Sequence, residues 1–101
     1  MTQSSVQQPT SRAHAHLAAL LRRLDLYDLD AQIKPDGLRV ANPHAEGCCP
    51  ANPEPTDTVT CRPNPADSGR LWFFHSWAEP IAPASRTEDA AVLIARTLKA
   101  R

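Results

Sequence analysis

Leu71-Trp72-Phe73-Phe74-His75-Ser76-Trp77 holds both tryptophans and both phenylalanines of the chain, so the core must be assembled around it. Read as a central strand over 70–77, one parity carries Leu71, Phe73, His75 and Trp77, and the other carries Arg70, Trp72, Phe74 and Ser76. Successive side chains of a strand point to opposite faces. Large aromatics on both parities imply that both faces are covered. The chain's own helices would take one, and a long loop, a second copy or a protein partner the other.

Working upstream, Pro63-Asn64-Pro65-Ala66-Asp67-Ser68-Gly69 is a run of turn formers that closes a hairpin into the aromatic strand. Thr58-Val59-Thr60-Cys61-Arg62 before it is β-branched and alternating, with Val59 and Cys61 on one face. An earlier hairpin pairs Ala31 and Ile33 with Leu38 and Val40 across Lys34-Pro35-Asp36-Gly37. In that turn Pro35 fixes φ and Gly37 supplies the conformation that returns the chain. Between the two hairpins, residues 43–57 form a long loop whose four prolines exclude a ladder or an interior helix. Loops of such length are usually functional or disordered, and the thiols and prolines here favour an ordered one folded across the sheet.

The ends of the chain read as helices. Ala13, Leu17, Leu20, Leu21, Leu24 and Tyr27 recur at spacings of three and four, behind Ser11 as a cap. Residues 1–10 lack an apolar period and are expected to be a disordered tail. Beyond Trp77 the chain runs extended through Pro80, Ile81 and Pro83. Ser85-Arg86-Thr87-Glu88 has the form of a capping box. Ala90, Ala91, Ile94 and Leu98 then face inwards, with Leu93 at the edge of the stripe. The expected fold is one α+β domain over 11–101, a two-layer α-β-β-β-β-α arrangement with a four-stranded antiparallel meander and both helices on one face.

The chain has 101 residues with 11 basic and 11 acidic side chains, so its formal net charge is zero and no global field draws in nucleic acid. Arg62 and Arg70 alone flank the aromatic stretch, which is little charge for a single-strand platform. No nucleic-acid partner is expected. No apolar run approaches a membrane span, and the polar N-terminus lacks a leader's apolar segment, so the expected location is the cytoplasm. The glycines at 37, 47 and 69 fall in neither Walker nor dinucleotide spacing.

Ligand-type side chains cluster only as His44, Cys48, Cys49, Cys61 and His75. Thiolates with imidazole suit zinc, and such a site would anchor a loop poor in apolar residues. The adjacent Cys48-Cys49 pair departs from the two-to-four-residue spacing that lets a backbone curl around the metal. The alternative is that the thiols pack as small apolar groups and His75 bonds its neighbours. His75 with Cys48 or Cys49 also has the elements of a base and nucleophile, with Glu46 or Glu79 to orient the ring, but no spacing argues for it. The sequence therefore points to a non-catalytic protein-interaction or regulatory module without a required cofactor, binding a protein partner or a second copy through Trp72, Phe74 and Arg70. A small zinc or thiol-redox protein is the alternative.

Overall fold

The computed structural model describes residues 3–45 and 55–99, with the first helix's side chains described from Arg12 onward. Elements run in the order α1 (Gln3–Asp25), β1 (Asp30–Lys34), β2 (Gly37–Ala41), β3 (Thr56–Asn64), a 3₁₀ turn at Pro65–Asp67, β4 (Arg70–Phe74), β5 (Pro80–Pro83) and α2 (Thr87–Thr97). The strands form one antiparallel meander in sequence order. Helix α1 packs over β1, β2 and β3, while α2 packs over β5 and against α1. The α+β reading and the two terminal helices are as the patterning implied.

Among the described residues the sheet has five strands rather than four. Residues 80–83 do more than run extended, since Phe73 pairs with Ala82 and Trp72 with Pro83. Two prolines in four residues hide a strand from propensity reasoning. They are tolerated because β5 lies at the edge of the sheet, where outward backbone groups need no partner. The register shifts between Phe73 and Phe74, which pair with Ala82 and Pro80. The unpaired Ile81 turns into the core, leaving only 8% of its surface exposed.

Other boundaries also move. Strand β3 runs from Thr56 to Asn64, beyond the expected 58–62 at both ends. Pro63 fits inside it because the Gly69 N–H bond to the Asn64 carbonyl sets the phase in which Asn64, Arg62 and Thr60 bond to β4. Pro63 then faces the side where β2 has already ended. Helix α1 begins at Gln3, so the region expected to be a tail is helical from there and Ser11 lies within the helix. A helix nucleated by its packed stripe extends at one hydrogen bond per added residue, except at Pro9, which has no N–H to give. In α2 the expected capping box does not form. Arg86 takes the N-cap position without a side-chain bond, while the Thr87 hydroxyl donates to the Ala84 carbonyl. The acids Glu88 and Asp89 in the first turn complement the helix dipole instead.

The core lies between the helices and one sheet face. Phe73, Leu20, Leu24, Leu38, Val40, Val59 and Ile94 are its largest fully enclosed side chains. The stripes of both helices face it, joined by Leu29 and Ala95. Asn42, buried at the end of β2, donates from its side-chain amide to the Leu98 carbonyl at 2.8 Å. That bond ties the sheet to the end of α2. No described helix is long and apolar enough to cross a membrane.

Gly37 is the tightest position in the hairpin. Its φ is +144°, and a Cβ there would lie 2.6 Å from the Val59 carbonyl oxygen. Gly37→Ala is expected to destabilise the domain by about 1–3 kcal/mol through backbone strain and displacement of β3. Urea unfolding of the two proteins measures it.

Candidate functional site

Strand β3 carries Asp57, Val59 and Cys61 on its inward face. Val59 pairs with Leu38 and Asp57 with Val40, so the acid stands at the end of an apolar column, only 4% exposed. A carboxylate so placed requires donors. His75 supplies one, with Nδ1 at 2.7 Å from Asp57 Oδ2, and the Ser76 backbone N–H donates to Oδ1 at 3.0 Å. An ionised carboxylate only accepts, and in that form it takes the Nδ1 proton of the ring.

Meeting these bonds changes the path of the chain. The expected strand over 70–77 stops at Phe74, and His75 to Glu79 form a turn. The His75 N–H donates to the Glu79 carbonyl, the Ala78 N–H donates to the His75 carbonyl, and Ala78 takes a φ of +69°. Trp77 consequently leaves the parity it was expected to share with Phe73 and His75. Its indole stacks on the His75 imidazole with centroids 4.3 Å apart and planes within 5°. Its Nε1 donates to Glu79 Oε1 at 2.8 Å. The ring nevertheless remains 55% exposed.

The side of the sheet away from the helices is treated differently. Phe74 is buried there, with the Arg62 guanidinium 4.1 Å above its ring centroid in a cation–π contact. Trp72 is partly buried and donates its Nε1 to Asp67 Oδ2 at 2.8 Å. Arg70 is exposed, its Nε 4.0 Å from the same carboxylate oxygen. A pair this long and this wet contributes little. Of the three residues assigned to an interaction face, Phe74 is therefore enclosed, Trp72 is tethered, and Arg70 alone stands in water.

Of the expected zinc ligands, the structure describes Cys61, His75 and His44. Cys61 pairs with Phe73 and belongs to the core, while His75 is committed to Asp57. His44 is exposed, and it is its backbone N–H that donates to the Asn42 side chain. Cys48, Cys49 and Glu46 lie outside the described residues. Among the described residues, no group of three or more His, Cys, Asp or Glu side chains is arranged to hold a metal. Cys61 lines a cleft of about 720 Å³ between the start of the described part of α1 and the β3–β4 end of the sheet, together with Arg12, His16, Leu17 and Arg70. Burial pushes its thiol up from 9.0 to about 11, so at neutral pH it is a neutral thiol and a poor nucleophile.

Asp57 is the residue that sequence reasoning missed, having been assigned to the loop. Its parity with Val59 and Cys61 was the available signal. Comparison of the chain with protein-family models, curated proteins and solved structures finds no match.

Two outcomes test this site. With Trp72→Phe leaving Trp77 as the sole indole, Asp57→Ala should cost about 2–4 kcal/mol by stranding two donors. It should also change Trp77 fluorescence and near-ultraviolet dichroism as the stack loosens. For Cys61 the raised pKa means that the unfolded chain loses its thiol proton first. The stability held below pH 9.0 is therefore lost as pH rises through about 11. Relative to Cys61→Ala, the wild type should lose roughly 1–3 kcal/mol between pH 8 and pH 11 in paired urea melts.

Proposed function

We propose that the protein is a non-catalytic protein-interaction module, and that Trp77 at the β4–β5 turn is its principal anchor. The carrying observation is a tryptophan 55% exposed whose ring is already fixed, stacked on one side against a buried imidazole and held at its edge by Glu79. Interface energy concentrates in a few residues, with tryptophan prominent among them. An anchor ordered before contact avoids part of the entropy cost of binding.

Trp72, Phe74 and Arg70 then have a secondary role. Arg62 and Asp67 satisfy the two aromatics within the chain, which makes them a firm base for the contact rather than its centre. The neutral, core-bound thiol of Cys61 lends no weight to redox chemistry at that position.

The test is recovery of a partner on immobilised wild-type chain, its purification, and calorimetric titration against wild type, Trp77→Ala and Trp72→Phe. Trp77→Ala should weaken binding by roughly 30-fold or more, as at a hot spot, while Trp72→Phe stays within a few-fold. Equal affinity for wild type and Trp77→Ala would remove Trp77 from the interface.

A further inference from the structure

The two edges of the sheet are unlike. Strand β5 begins and ends with proline, which lacks the N–H that an incoming strand would use, a common protection of edges. Strand β1, Asp30-Ala31-Gln32-Ile33-Lys34, has no proline and no bulge, pairs on one side only among the described residues, and keeps Cα register with β2 along its whole length.

The β1–β2 turn determines which backbone groups point outward. Lys34 faces Gly37 across a two-residue turn, so the N–H and C=O groups of Lys34, Gln32 and Asp30 point toward β2. Those of Ala31 and Ile33 point away from the sheet. The side chains divide in the same alternation. Ala31 and Ile33 are only partly buried against the core, whereas Asp30, Gln32 and Lys34 are exposed on the helix-free face. Leu26, 75% exposed, lies in the turn that leads into this strand.

We propose that β1 pairs antiparallel with β1 of a second copy about a two-fold axis at Gln32, joining the two sheets into one. The sequence is complementary to itself in that register. Ala31 lies opposite Ile33 of the second copy, and these are the residues whose free N–H and C=O groups match as an exchanging pair. Their incompletely covered side chains meet on the helix side. On the other face Asp30 lies across from Lys34 of the second copy, and the two-fold repeats the contact, so two opposite-charge pairs form and no like charges face each other. The same surface patch serves both copies, as a closed two-fold dimer demands.

Sedimentation equilibrium of the full chain across a micromolar to millimolar range tests the pairing, with circular dichroism to confirm folding of each variant. The wild type should be dimeric. Asp30→Lys and Lys34→Asp each place like charges opposite one another, and each should raise the dimer dissociation constant about tenfold. The double exchange restores complementarity and should return the constant to within a few-fold of wild type. Ile33→Pro removes an outward N–H without costing a bond to β2, and should leave a folded monomer. A wild type that stays monomeric across the range overturns the pairing, whether or not another protein's strand takes the edge. A dimer indifferent to the charge exchanges overturns it as well. Trp77→Ala should leave the dimer unchanged, so this result stands or falls apart from the role of Trp77.

Discussion

The buried carboxylate of Asp57 is the constraint to which the aromatic end of the sheet answers. It stands on the inward face of β3, enclosed at 4% exposure, where an acid without donors would cost several kcal/mol. The two donors come from consecutive residues, His75 through its ring and Ser76 through its backbone. For both to reach one carboxylate, the chain must leave the strand after Phe74. The β4–β5 turn, the positive φ of Ala78 and the outward position of Trp77 are consistent with that single requirement. Breaking a buried pair is far more costly than its formation is favourable, so the arrangement specifies geometry more than it adds stability.

Much of the architecture was legible because it follows from periodicity. The stripes of Leu17, Leu20 and Leu24 and of Ala90, Ala91 and Ile94 face the core, since spacings of three and four have one helical solution. The Pro35-Asp36-Gly37 hairpin was legible for a local reason, the φ demanded by its turn. What escaped depended on tertiary context. Pro80 and Pro83 conceal an edge strand because propensity cannot know that the position is an edge. Ser85 has the composition of a cap, yet the 3₁₀-like turn joining the Arg86 N–H to the Pro83 carbonyl carries the chain into the helix one residue later.

The candidate site was legible in part for the same reason. The prominence of the aromatic stretch was plain, but the roles of its members depend on residues far away in sequence. Phe74 is capped by Arg62, and Trp72 is held by Asp67. Trp77 leaves the parity of Phe73 at a turn tied to Asp57, 20 residues earlier, and no pattern within the aromatic stretch itself reports that tie. An acid on the apolar parity of a β-branched strand does report it, since burial there demands a donor and the only histidine of the aromatic stretch is the nearest candidate in strand order.

The β1 edge and the Trp77 corner lie at opposite sides of the sheet. Among the described residues β1 is an edge strand paired on one side, whereas Trp77 belongs to the turn between β4 and β5, the last two strands of the meander. Adjacent strands are about 4.8 Å apart, so roughly 15 Å or more of sheet separates the two. A dimer formed through β1 would bury neither indole. It would place both Trp77 corners toward the outer flanks of a continuous sheet, related by the two-fold axis. A partner offering two matching sites would then gain from effective concentration as well as from contact. In a chain of 101 residues with little surface to spare, association through one edge and recognition at the opposite end would be compatible because five strands keep them apart.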